Sequence, residues 1–423
     1  MRFSIFLSVL ILFSHLLQAQ STAGEYYQAA NKAYEENNFS AFLSHLEKAN
    51  ELRPNHRTIL YNLALAYTLN DQHYKAIETL KYRSSFYALN DFDQDEKLAP
   101  LKSLPQYQQL LSQIDEQNKP ILNSSLHFEF EQKGFHPEGI AIHPESGNFL
   151  ISDVRCGLIS SFNKDGSDHK PILDLKEFGF WGAMGMAFDK QDPNMIWVSS
   201  STLPNYCEYS DSLDGKSAVL KIDLKKKQLV RSYSAEGHHV FGDLVTTETG
   251  AVYISDSSEP IVYKITKQAD NLEKFLKPEG LFNLQGLALG EENILYISDY
   301  ITGVYSVDLS SKKITPVTSE AQLTRGTDGL YFSNGQLYLI QNGTKPFQVA
   351  KVDISSSSIE ILDRAIPELN EPTLGVIKNG ILYFIANSPW AFYDEENNPK
   401  SEEWPKLQIR KVNIQNKKSP LQN

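Results

Sequence analysis

The sequence predicts an all-β six-bladed propeller over residues 124–416, preceded by an N-terminal α-helical domain over residues 24–115. Three observations carry that prediction. A residue followed by glycine, or its near equivalent, opens an apolar stretch six times: Glu138-Gly139, Met184-Gly185, Gly242-Asp243, Gln285-Gly286, Asp328-Gly329 and Leu374-Gly375. Each opening is followed by a second short run rich in Tyr and Ile, namely NFLISD, MIWVSS, AVYISD, ILYISD, QLYLIQ and ILYFIA. Upstream of residue 115, by contrast, Gly and Pro are sparse and the apolar residues keep helical spacing.

Length and composition set the outer bounds. At 423 residues the chain exceeds one ordinary domain, and its 41% hydrophobic content can bury a sizeable core. A formal net charge of −12 excludes non-specific nucleic-acid binding, which needs a basic face against the phosphates. Residues 1–19, MRFSIFLSVLILFSHLLQA, combine Arg2, an apolar run from Phe3 to Phe13 and a small Ala19, the pattern of a secretory signal peptide. That run is too short for a spanning helix, and no later segment approaches the required length, so a periplasmic or secreted protein without a membrane span is expected.

The helical domain reads as a repeat. Ala33-Tyr34 returns as Ala66-Tyr67, and Phe39-x-Ala41 returns as Tyr74-x-Ala76. The interval resembles that of tetratricopeptide helix-turn-helix units, and LAPLKSLPQYQQLLSQI (Leu98 to Ile114) resembles their capping helix. Such an arm implies either a groove that recruits a protein partner or a spacer or lid for the next domain. Residues 116–123, polar and containing Pro120, read as a linker.

In the propeller, third strands such as SAVLKIDL and GVYSVDLS and fourth strands such as QLVRSYSA follow the first two. Four strands per unit at a period of about 40–50 residues is the pattern of propeller blades. The sixth unit lacks its own fourth strand; LHFEFE, Leu126 to Glu131, has no partner upstream and is placed to supply it and close the ring. The one long interval falls in the second blade, where TLPNYCEYSDSLDGK carries Cys207. Cys156 occupies the equivalent connection of the first blade, so a Cys156–Cys207 disulfide pinning the insertion is expected.

The EG, QG and DG openings and the YISD strands resemble the gluconolactonase/regucalcin-like six-bladed propellers over about Phe135 to Ile414. The resemblance implies a metal-dependent hydrolase of lactones or related esters, with a divalent ion, Ca²⁺ foremost, at the axis. It maps the metal ligands onto Glu138, Gln285 and Asp328, with Gly242 where a further side-chain ligand is expected. Asp243, one position on, is expected to point to the opposite face of a regular strand. Asp328, Asp243 and His136 become the catalytic candidates, with His238 and His239 as further acid/base groups on loops. Arg155, Trp181, Tyr206, His238, Arg325, Asn387 and Trp390 are the candidates for binding a small-molecule substrate at the channel mouth. Asp256 and Asp299, which end YISD strands, read as turn caps. The competing reading is a non-catalytic ligand- or protein-binding propeller whose helical arm recruits a partner.

Overall fold

Short β-branched and aromatic runs separated by tight turns favour antiparallel meanders, and six of them form here. The computed structural model describes residues 22–415 except 320, 395 and 402, so the expected signal segment lies outside the described residues. From the inner strand outward, blade one is Pro137–Ile142, Phe149–Asp153, Leu158–Phe162 and Lys170–Asp174. Blade two is Gly182–Phe188, Met195–Ser201, Ser217–Asp223 and Gln228–Ser234, and blade three is Phe241–Thr246, Val252–Asp256, Ile261–Ile265 and Glu273–Leu276. Blade four comprises Leu284–Leu289, Ile294–Asp299, Gly303–Asp308 and Ile314–Pro316. Blade five begins with Thr327–Ser333, Gln336–Gln341, Gln348–Asp353 and Ser358–Arg364. Blade six contains Gly375–Lys378, Ile381–Ile385 and Leu407–Asn413. Each inner strand packs on the next, and the sixth packs on the first, so the ring is closed.

The strand that completes blade six is Ser125–Phe130, paired antiparallel with Leu407–Asn413. An edge at the join would expose unpaired N–H and C=O groups, and this pairing covers it. The stretch 116–123, read from its polarity as a linker, is bound to the propeller instead. Ile121 and Leu122 pair with Arg364 and Asp363 as a fifth strand on blade five, and Asn123 and Ser124 donate their N–H groups to Asp363 Oδ1. Two apolar residues in a polar stretch are enough to cap an exposed sheet edge.

The glycine at the second position of the opening motif, present in five of the six blades, has a steric cause. A Cβ on Gly139 would lie 2.8 Å from Ser152 Oγ and closer still to the Met184 carbonyl of the next blade; one on Gly286 would lie 2.5 Å from the Asp328 carbonyl. Inner strands thus approach too closely for a side chain at this position in those five blades, while the third carries Asp243 there. The aspartate ending the YISD strands is equally structural. Asp256 Oδ1 accepts the N–H groups of Val240, Ser258 and Glu259, while Asp299 accepts those of Phe282, Asn283 and Thr302. Both cap turns, as their position predicts.

The arm consists of α1 (Ala23–Glu35), α2 (Phe39–Leu52), α3 (Arg57–Leu69), α4 (His73–Ser84) and, after a 3₁₀ turn, α5 (Pro105–Gln117). Thr22 and Glu25 form a capping box at the start of α1. The α1–α2 hairpin is followed by α3–α4 at the same interval, Ala23 to Arg57 and Phe39 to His73. Phe42, Leu46, Ala64, Ile77, Leu80, Leu98 and Tyr107 form a core separate from those of the blades. No helix among the described residues is long and apolar enough to cross a membrane.

The arm is fixed to the propeller by backbone as well as side chains. Ala88 N–H donates to the Lys345 carbonyl at 2.6 Å, and Lys345 N–H donates to the Phe86 carbonyl at 3.0 Å, forming a bridge onto blade five. Asn55, held at φ 65°, donates from Nδ2 to the Ile301 carbonyl on blade four at 2.9 Å. The arm is therefore a wall beside the channel.

Candidate active site at the channel mouth

Strand register places the site. Pro137 pairs with Asp153, Leu284 with Asp299 and Thr327 with Gln341, so inner strands begin at the end where second strands finish. Residues at inner-strand starts and on the following connections therefore share one mouth. A cavity of about 350 Å³ opens there between the arm and blades four to six. A second cavity of about 510 Å³ opens at the opposite end, lined mainly by apolar inner-strand residues such as Ile140, Leu244 and Leu330.

Glu138 and Asp328 meet beneath the mouth. Glu138 is 7% exposed, and its Oε2 is buried without a hydrogen-bond partner. Burial, then the Asp328 charge, raises its pKa well above the carboxylate range, with Trp390 partly favouring the charged form. Burial likewise pushes Asp328 up to about 6, against the opposing hydrogen bond from Asn342. Asn342 Nδ2 donates to Asp328 Oδ2 at 2.7 Å and Asn342 Oδ1 accepts from the Tyr300 hydroxyl at 2.9 Å. These two side chains line the mouth cavity and connect it to the carboxylates.

Asp243 departs from the sequence expectation. A bulge between Phe241 and Leu244 breaks strict alternation, so Asp243 does not turn away from the channel. Its carboxylate accepts the N–H groups of Leu244 at 2.8 Å and, across the blade boundary, Leu287 at 3.0 Å. Burial pushes it up to about 7, and it lines the opposite cavity rather than the mouth. Gln285 donates from Nε2 to Asn283 Oδ1 at 2.7 Å, which leaves Oε1 free, 3.6 Å from where a Gly242 Cβ would sit. Among the described residues no three His, Cys, Asp or Glu converge as a metal-binding group. The oxygens on offer are two carboxylates and an amide.

The remaining candidates fall into separate groups. His136 is fully buried, edge-on to Trp390 at 4.4 Å and stacked on Tyr393 at 5.7 Å. Burial, then the Arg155 charge, pushes it down to about 3, so the ring is neutral; its Nε2 has no partner. Arg155 lies 4.5 Å above the Tyr393 ring with Nη1 unpartnered. This cluster is held by the Cys156–Cys207 disulfide, Cα–Cα 5.4 Å, and by Cys207 N–H donating to the Arg155 carbonyl. Asn387 closes the base of the loop carrying Trp390, donating to the Lys406 carbonyl and accepting from Gln408 N–H, both at 2.7 Å. Trp181 packs edge-on against Phe180, and Tyr206 is buried within the blade-two insertion.

The two adjacent histidines do not converge on the carboxylates. His239 is buried between Asp256 Oδ2 at 2.6 Å and the Glu236 carbonyl at 2.9 Å, a satisfied structural pair. His238 stands at the rim against Ser258 and Asp214. Arg325 does reach the mouth cavity, on its arm side, over the rings of Tyr82 and Phe86. Tyr300, Asn342 and Glu371 line the mouth as well, yet none carries a repeat-motif signal. Only their place just after a second strand or just before an inner one marks them.

No family model matches the chain, and no curated protein matches it. Solved propellers do. A gluconolactonase from Xanthomonas campestris is 14% identical, TM-score 0.48, over 70% of this chain and 94% of its own. A PQQ-bound aldose sugar dehydrogenase from Streptomyces coelicolor is 11% identical, TM-score 0.47, over 70% and 99%. A catalytically inactive virginiamycin B lyase from Staphylococcus aureus, solved with quinupristin, is 14% identical, TM-score 0.45, over 68% and 99%. The likeness is one of blade arrangement, shared by enzymes of different chemistry.

Proposed function

We propose that the chain is an extracytoplasmic hydrolase of lactones or related esters, working at the mouth around Glu138 and Asp328. The observation that carries this reading is the buried pair of like charges with an orphaned Glu138 Oε2. Such a pair is costly unless a proton or a cation relieves it. An oxygen-only donor set of Glu138, Asp328 and Gln285 Oε1 fits a hard divalent ion such as Ca²⁺. When bound, that ion would polarise an ester carbonyl and acidify a water. The apolar N-terminal segment and the disulfide support placement outside the cytoplasm.

The chain's own residues supply the rest. Asp328, a buried carboxylate at the start of its inner strand, is the candidate to accept a proton from an attacking water. Asn342 fixes that carboxylate by donating from Nδ2 to Asp328 Oδ2. His136, with Asn205 Nδ2 3.4 Å from its Nδ1, carries its proton on Nε2 when that amide donates. It then offers a neutral N–H donor in a dry aromatic pocket.

The second reading, a binding propeller without turnover whose arm engages a protein partner, is favoured by the missing side chain at Gly242. Titrating Ca²⁺ into chelator-treated protein separates the two. A saturable rise in melting temperature, lost in Glu138→Gln and accompanied by Ca²⁺-dependent opening of a lactone or aryl-ester panel, is the expected result. Absence of both the thermal shift and turnover sinks the hydrolase reading.

A further inference from the structure

The mouth cavity carries a charge pattern unlike the rest of this acidic chain. Four cationic side chains line it: Arg53 and Arg57 from the arm, and Arg325 and Lys345 from the propeller. None of the four forms an ion pair among the described residues, although pairs such as Arg83–Asp91 and Lys221–Asp189 are made elsewhere. The single acid on the lining, Glu371, accepts the Ala391 N–H at 2.8 Å and acts on Lys345 through its charge without a direct ion pair, which leaves the cations in excess. Arg325 buries both Nε and Nη1 with no hydrogen-bond partner, and His56 buries Nδ1 likewise. An unsatisfied buried donor on a cation costs more than on a neutral group, so its natural complement is an oxyanion.

The cations are also held in place. Arg83 donates from Nε to the Arg57 carbonyl at 3.1 Å, fixing the start of α3, and the Arg57 guanidinium is hydrogen-bonded to the Tyr87 hydroxyl. Lys345 has its backbone bonded on both sides to the arm, with Nζ 3.3 Å from the Phe347 ring centroid. Two cations exposed on the arm and two half-buried on the propeller, around a cleft of about 350 Å³, focus a positive field on a small volume. A free surface would scatter them.

We infer that the arm–propeller cleft binds the carboxylate or phosphate group of a small anionic ligand, gripped by Arg53 and Arg57 on one side and Arg325 and Lys345 on the other. The anionic group sits against these cations, and the remainder of the ligand extends through Tyr300 and Asn342 toward Asp328. The inference deepens the hydrolase reading and rests on it only for the identity of the reacting end. It makes the arm part of the ligand site and the preferred substrate an acid-bearing lactone or ester rather than a neutral one.

The test uses the full mature chain and a binding readout independent of turnover. Inorganic phosphate and acetate are titrated separately at constant ionic strength, with chloride as the balancing salt, and melting temperature is followed. Wild type is expected to show a saturable rise with one or both anions; phosphate alone points to phosphate esters, acetate to carboxylates. Arg53→Gln/Arg57→Gln, both exposed on the arm, is expected to keep the anion-free melting temperature and weaken binding by about tenfold or more. Arg325→Lys, which keeps the charge and loses the fork, is expected to weaken it by a smaller factor. No rise beyond the chloride control, or equal affinity in the double variant, overturns the inference. Anion binding without lactone or ester turnover leaves it standing and removes the hydrolase reading alone.

Discussion

Gly139 and Gly242 sit one position apart in the same repeat motif and make opposite demands. The Gly139 site has no room for a methyl group, because the obstruction includes the backbone of the next blade. Gly139→Ala should therefore cost about 1–3 kcal/mol, measured by denaturant unfolding. Gly242 has only ordinary contacts, 3.6 Å to Gln285 Oε1 and 3.8 Å to Ser255 Oγ. Gly242→Ala should be neutral or stabilising by about 0.4–1 kcal/mol, since it restricts the unfolded chain. Asp189 offers a residue-scale test of pH. Burial alone would raise its pKa, but Lys221 at 2.8 Å, the Gln191 N–H and the Trp197 indole outweigh that and hold it below its ordinary value. A depressed carboxylate stabilises the fold above its unfolded pKa and loses that contribution as pH falls through the folded one. Asp189→Asn should lower the melting temperature at neutral pH, and its gap from wild type should close below about pH 4. Glu138 and Asp328 could be read from the sequence because both open inner strands. Asp243 is a candidate by residue type, but its facing is not legible, since a bulge of the kind that opens the inner strands of blades one and four as well erases the two-residue period.

At the scale of elements, the blades were legible because strand, turn and strand recur with their glycines and aspartates in fixed places. Gly139 and Asp299 mark two contacts that recur among the blades, close approach to the neighbour and a capped turn at the mouth. The strand at Ile121–Leu122 left too short an apolar signal to distinguish from a linker. Tyr300 and Asn342 lay hidden for a different reason: they come from different blades, and only the packing of blade five on blade four brings them together. The Cys156–Cys207 bridge joins two adjacent connections across 51 residues of sequence and adjoins Arg155 and His136. Replacing both cysteines by serine should cost about 2–4 kcal/mol of stability and lower affinity for any ligand contacting Arg155. Thermal unfolding with and without reductant checks the first expectation. If reductant leaves the melting temperature unchanged, the bridge contributes no stability.

The whole molecule is a helical arm and a ring of blades joined at one mouth. The arm carries its own hydrophobic cluster, and its ties to the ring are a backbone bridge at Lys345, the Asn55 bond to Ile301 and Arg364 donating to the Glu116 carbonyl at 3.0 Å. Removing residues 22–118 should leave a folded ring by near-ultraviolet circular dichroism while exposing Arg325, whose cover of Tyr82 and Phe86 would be gone. Loss of the ring's cooperative melting would show the arm to be part of its foldable unit. Sequence alone placed a helical arm before a propeller, but charge convergence across their interface depends on docking, which no local pattern encodes. The strand Ser125–Phe130 has a further consequence for the order of events. It is made before every blade, yet its partner Leu407–Asn413 is made after all the other blade strands. Throughout synthesis the growing ring must carry an unmatched first strand, while the arm ahead of it can already be folded. Closure is thus a late, long-range step with a high entropic cost, exposed in the meantime to pairing with neighbouring chains. Chains halted before Leu407 would leave that step impossible, with both edges of the open ring available for aggregation.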